Sequence, residues 1–205
     1  MSKRSKTEMN IAHDSFITIK KNYILMKKNV IVFGLIAGLI VSTLMVLSMA
    51  RCYSNPNLEH SMLIGYASMV LAFSFIFVGI KNYRDKYNDG LITFGKAFKI
   101  GALISLVAST IYVMVWLIDY YVFMPDFMDK YVAQALREAK ADGASAAELA
   151  TKTRELASSQ EMYKNPVMVV LFTYMEILPV GILISLVAAL ILKRKPGTPL
   201  SVKAA

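Results

Sequence analysis

The chain has 205 residues, 56% of them hydrophobic and 18% charged, with a mean hydropathy of +0.50 and a formal net charge of +9. That balance is too apolar for an ordinary soluble domain, in which about 25% of residues are charged. The single cysteine, Cys52, excludes an internal disulfide, leaves open one between two copies, and is expected as a plain buried or interfacial thiol.

Residues 1–28 are polar and carry seven Lys/Arg, as expected of a basic cytoplasmic tail that is either mobile or an interfacial helix. Met26 would itself serve as a start. Val30–Ala50 follows without a charge. Lys27-Lys28, this run and Leu47-Ser48-Met49-Ala50 imitate a signal peptide. The run of about 21 residues exceeds the usual 7–15, and Arg51 before Cys52 spoils a lipoprotein reading, so a retained first helix is expected. Ser61–Ile80 and Ile100–Ile118 are likewise free of charge, and Val167–Leu192 contains one, Glu176. Each run has the roughly 20 residues that cross about 30 Å of hydrocarbon at 1.5 Å per residue. Backbone polar groups in lipid must be satisfied within the segment, so four runs mean four helices. The expected fold is all-α and polytopic: a transmembrane domain over 29–192 with spans at about 30–50, 61–80, 100–118 and 167–192.

Basic residues orient it. The segment 1–28, the loop between the second and third spans and the tail 193–205 hold 16 of the 23 Lys/Arg, and an even number of crossings puts all three on one side. The positive-inside rule makes that side cytoplasmic, in a bacterial inner membrane, with both termini inside. The +9 charge therefore reads as topology plus attraction to an anionic leaflet, with no nucleic-acid partner. In the loop, Asn88-Asp89-Gly90 signals a turn. Leu91, Ile92, Phe94 and Phe98, with Lys96 and Lys99, suggest an amphipathic entry to the third span.

Residues 119–166 fall outside, with six Lys/Arg against eight Asp/Glu. Phe127, Tyr131, Ala135 and Ala139 recur near a four-residue spacing, as do Leu149, Thr153 and Leu156. Asp142-Gly143 stops the first piece, and Ser145 with Glu148 forms a capping box that starts the second. An extracytoplasmic helical hairpin is expected, serving as a spacer or as an arm for a membrane or periplasmic protein partner. GLIAGLIVSTLM (34–45) and GALISLVASTIY (101–112) align, but GILISLVAALIL (181–192) has the same alphabet in the opposite direction, so a true repeat is not favoured.

Motifs of soluble chemistry are weak. Gly90-Leu-Ile-Thr-Phe-Gly95-Lys96 has phosphate-loop spacing, yet Ala97 replaces the magnesium-binding hydroxyl and no βαβ context precedes it. His13 and His60 stand apart, and no metal-ligand set or nucleophile elbow is present, so neither a cofactor nor a metal is expected, nor an enzyme. Small residues four apart mark close helix approach: Gly34, Gly38 and Ser42; Gly101, Ser105 and Ser109; Gly181, Ser185 and Ala189. They serve packing within one bundle or, for the first stripe, a homo-oligomer.

Glu176 lies ten residues from Pro166, about 15 Å into the bilayer. A charge at that depth costs at least a few kcal/mol, so a protonated or hydrogen-bonded acid is expected. At similar depth stand Ser42 and Thr43, Tyr66 and Ser68, and Ser109, Thr110 and Tyr112. Pro179 cannot donate to the carbonyl of Met175, which bends the helix and frees an acceptor. A small polar cavity around a buried carboxyl is the expected result. It would be either a proton or cation site or a structural acid cross-linking helices through hydroxyls.

The strings VGIKNYRD (78–85) and FTYMEILPVG (172–181), within a likeness over about 27–195, resemble the bacterial membrane family called domain of unknown function 4199. The resemblance implies four spans, a cytoplasmic-membrane location and a helical insertion before the last span. It implies no activity and transfers no functional residue. The expectation is a non-enzymatic scaffold, accessory or interaction protein, with a small proton- or cation-coupled transporter using Glu176 as the alternative.

Overall fold

In a computed structural model, residues 3–54 and 62–194 are described. Expectations placed on His60, on Ser61 as the start of the second span, on the side chain of Cys52 and on residues 195–205 lie outside what is described. The described chain is all-helical: α1 Lys3–Ser54, α2 Met62–Phe73, α3 Phe75–Tyr87, α4 Phe94–Ile118 with a π-helical turn Asp119–Phe123, α5 Phe127–Ala141, α6 Ala146–Tyr163 and α7 Pro166–Leu192. Four segments are long and apolar enough to cross a membrane: Lys20–Arg51, Gly65–Tyr87, Phe94–Phe123 and Pro166–Leu192. Many large apolar side chains stay exposed on them, Leu39 at 60% and Leu183 at 62% among these, as lipid-facing surfaces require.

Three boundaries differ from expectation, among them that of the second span, which runs on to Tyr87. Residues from Lys3 onward belong to the same helix as the first span, because no Gly or Pro interrupts the chain before Gly34. The third span is longer, since α4 starts at Phe94 and the π turn carries the helix past Ile118. The anticipated interfacial entry is thus the first turn of α4 itself.

The chain divides into two compact units. The first gathers the described residues of Met1–Ala37, Phe73–Val107 and Gly181–Ala205. Small residues dictate its packing. A Cβ on Gly101 would lie 2.9 Å from the Ser185 side chain, and one on Gly181 would lie 2.8 Å from that of Ser105. Gly101 of α4 and Gly181 of α7 thus each receive the serine of the other helix, and the Ser105 and Ser185 hydroxyls meet at 3.0 Å. Both also bond back to carbonyls four residues earlier, those of Gly101 and Gly181. Gly34 faces Val107, and Gly79 faces Ile104 and Phe33. Phe73, Ile76, Ile80, Ile100 and Ile104 fill the core.

Polar groups close this unit. Buried Asn29 donates to the Gly79 carbonyl at 2.9 Å and accepts from Asn82 at 2.7 Å. The Arg84 guanidinium donates to the Leu192 carbonyl at 3.2 Å, occupying an acceptor that the end of α7 leaves free. Ile92 and Arg194 exchange two backbone bonds at 3.0 and 2.8 Å. Asp89 and Gly90 adopt positive φ (51° and 73°), and Gly90 N–H reaches the Arg84 carbonyl at 2.9 Å, so the turn expected at Asn88-Asp89-Gly90 ends α3. Lys96 lies 4.9 Å over the Tyr83 ring and donates to Asn88 at 2.7 Å.

The second unit comprises the described residues of Gly38–Ala72 and Ala108–Val180. Gly38 faces Ile111 and Ala108. Gly143, at φ +84°, separates α5 from α6, and Ser145 and Glu148 form the expected capping box. Gln160 donates to Asp129 at 2.6 Å between these two helices.

Candidate functional site: an intramembrane cleft at Glu176

The second unit holds the acid. Asn165 and Pro166 start α7: the Asn165 side chain accepts from Val167 N–H at 2.9 Å, and proline at the first helical position sacrifices no needed donor. From that fixed start, Phe172 and Glu176 fall one turn apart on the same face. Tyr163, the last residue of α6, stacks on Phe172 with centroids 5.7 Å apart. On α4 and its π turn, Tyr112, Trp116 and Tyr120 recur every four residues. Trp116 packs edge-on against Phe127 at 5.1 Å, and Tyr120 lies 6.0 Å from Tyr163. Burial, and next the charge of Glu176, raise the Tyr163 phenol above its ordinary value, which places that side chain within electrostatic reach of the acid.

Glu176 and Tyr112 line one cleft of about 410 Å³, open solvent at its mouth included. Val41, Leu44, Met45, Ser48 and Met49 supply one wall, spaced as a single face of α1. Gly65, Ser68 and Met69 supply another from α2. Carboxylate, phenol and two serine hydroxyls therefore converge among thioethers and aliphatic groups.

The cleft around the carboxyl has a mixed lining rather than the polar one expected, and no hydrogen bond to the Glu176 carboxylate forms among the described residues. Of the hydroxyls anticipated at its depth, Tyr112 and Ser68 line the cleft, whereas Tyr66 and Thr43 are exposed. Ser42 and Ser109 are buried with oxygens that find no partner among the described residues. Thr110 accepts from the Tyr174 hydroxyl at 2.9 Å. Depth along a helix follows from residue count, but facing direction does not, and 100° per residue turns Ser42 off the wall that Val41 lines. Pro179 lies inside α7 and is exposed; the helix continues through it. Gly34 and Gly38 are covered by α4 of their own chain.

Three features were missed by sequence reasoning. The aromatic cluster of Trp116, Tyr120, Phe127, Tyr163 and Phe172 was hidden because its rings come from four separate segments. Asp119 is 8% exposed, with one carboxylate oxygen unpartnered among the described residues, at the start of the π turn. The polar closure of the first unit around Asn29, Asn82 and Arg84 depends on contacts 50 or more residues apart in the chain.

No curated protein and no solved structure is similar to this chain. A family model does match, over residues 32–194, which takes in the glycine stripes, the turn after α3, the cleft and all of α7. The chain belongs to the family described as protein of unknown function (DUF4199).

Proposed function

We propose that this is a small coupled transporter of the bacterial cytoplasmic membrane, in which Glu176 exchanges a proton or a cation. In this reading both termini face the cytoplasm and α5 and α6 form an external helical hairpin. The distribution of Lys and Arg supports that orientation. The observation that carries the functional reading is the position of the Glu176 carboxylate. It stands in a cleft beside Tyr112 and is not tied to another helix through the hydroxyls of Ser42, Ser109 or Thr110. A structural acid needs such a tie; an exchanging acid needs a path to its ligand. Four spans are few for one transport path, so the reading entails a homo-oligomer, with lipid as its solvent.

Proteoliposome flux tests it. Under an imposed pH gradient the parent should move protons or cations, and Glu176→Gln should abolish that flux while the folded protein is retained. Equal flux in both would remove the reading. A non-enzymatic scaffold or accessory role is the second reading. It is favoured by α5 and α6, whose largely exposed faces offer a surface to a membrane or periplasmic partner. It expects Glu176→Gln to preserve assembly and phenotype.

A further inference from the structure

We infer that the basic end of the first unit seats the headgroup of an anionic phospholipid, between the ends of α3 and α7, where Lys81 and Arg194 supply the positive charge. This seat does not depend on the transport reading. Hydrogen bonds hold the two helix ends together. The Arg84 guanidinium of α3 donates to the Leu192 carbonyl of α7 at 3.2 Å, and to the Asp85 carboxylate at 2.6 and 3.3 Å. Arg194 is fixed in turn by its two backbone bonds to Ile92. Arg84 and Asp85 neutralise one another. Lys81 stands one turn before Asp85 on the same face of α3, and both Lys81 and Arg194 lie within electrostatic reach of the Asp85 carboxylate. Neither Lys81 nor Arg194 makes an ion pair among the described residues. Three cations against one carboxylate leave a local excess of two positive charges, and exposed Lys193 adjoins them.

The surface beside these charges points to a lipid rather than to a soluble anion. Val78 of α3 and Val187 and Ile191 of α7 are exposed aliphatic side chains. Lys81 follows Val78 by three residues, a rise of about 4.5 Å, and Arg194 follows Ile191 by the same count. Both helices reach this end at their C-termini, so both present an apolar surface first and a cationic rim about one turn later. A phospholipid carries the matching order, acyl chains and then a phosphate. A basic residue at the membrane surface favours an anionic lipid by about fivefold. The arginine fork also matches phosphate oxygens with paired hydrogen bonds.

The test titrates the full chain, in mild detergent, with phosphatidylglycerol or with phosphatidylcholine of the same acyl chains, and counts bound lipids by native mass spectrometry. The expected result is a first phosphatidylglycerol that binds at least about tenfold more tightly than phosphatidylcholine, since two charges act together. Lys81→Gln combined with Arg194→Gln should abolish that preference. Lys20→Gln combined with Lys21→Gln removes the same charge from exposed positions of α1, more than two turns beyond Asn29, and should leave the preference within about twofold. Equal losses in the two pairs would reduce the seat to general attraction between a basic chain and anionic lipid, and would overturn the inference. An unchanged preference in the first pair would do the same. Two measurements on the parent need no variant to fold. Absence of a phosphatidylglycerol preference overturns the inference, and so does displacement of the bound lipid by glycerol phosphate at equal concentration, which would mark a site for a soluble anion.

Discussion

The two units of this chain use the same residue types in opposite ways. In the first, small residues of α4 and α7 pair: Gly101 receives Ser185, Gly181 receives Ser105, and the two hydroxyls bond to each other. In the second, Ser42, Ser109 and Asp119 bury oxygens that find no partner among the described residues, and Glu176 stands in a cleft. Unsatisfied buried polar groups are costly, and chains that keep them tend to do so at functional sites. The contrast sets paired small residues in one part of the sequence against unpartnered oxygens in the other, although α1, α4 and α7 each contribute to both.

Glycine substitutions should separate the two units most sharply. Gly101→Leu would drive a side chain into Ser185 and should destabilise the protein by about 3 kcal/mol, read from its unfolding midpoint in denaturing detergent. Gly65→Leu meets open space at the cleft and should leave that midpoint nearly unchanged while reducing flux. Equal destabilisation by both would erase the distinction. Next in size, Asn29→Ala removes the donor to Gly79 and the acceptor for Asn82, a loss of about 1–3 kcal/mol by the same assay.

Smaller effects lie at the caps and the lone hydroxyls. Ser145→Ala should raise hydrogen exchange in the first turn of α6 by an amount equivalent to about 1 kcal/mol. Glu148 is held below its ordinary value of 4.5 by hydrogen bonds from the Ser145 backbone and side chain. A depressed folded-state value means that the cap is complete above 4.5 and is lost as pH falls through the lowered value. Exchange in that turn should therefore rise only in acid, and Glu148→Gln should flatten the pH dependence. Smallest of all, Ser42→Ala and Ser109→Ala delete hydroxyls that bond to nothing described, so each should change stability by less than about 0.5 kcal/mol or raise it slightly. A large loss at either would reveal a partner and weaken the contrast.

Much of the fold was legible in the sequence because its causes are local. Charge-free runs mark the spans, Asn88-Asp89-Gly90 marks the end of α3, and Ser145 with Glu148 marks the start of α6. The continuity of α1 from Lys3 could have been read from the absence of Gly and Pro, had the basic residues not suggested a tail. What the sequence hid was mutual orientation. It announced three small-residue stripes without saying that Gly101–Ser105 and Gly181–Ser185 meet each other. It placed Tyr112 and Ser109 at the depth of Glu176, yet only Tyr112 faces the cleft. Nor does any local signal announce the break after Phe73 or the π turn at Asp119.

The central claim is that Glu176 is an acid in contact with a path to water rather than a sealed cross-link. Infrared difference spectroscopy in lipid bilayers, comparing the parent with Glu176→Gln while bulk pH is stepped, tests it most directly. The account predicts a carboxyl band, missing from the glutamine variant, whose intensity follows bulk pH. A Glu176 band that stays constant across the whole range in which the protein remains folded would contradict it.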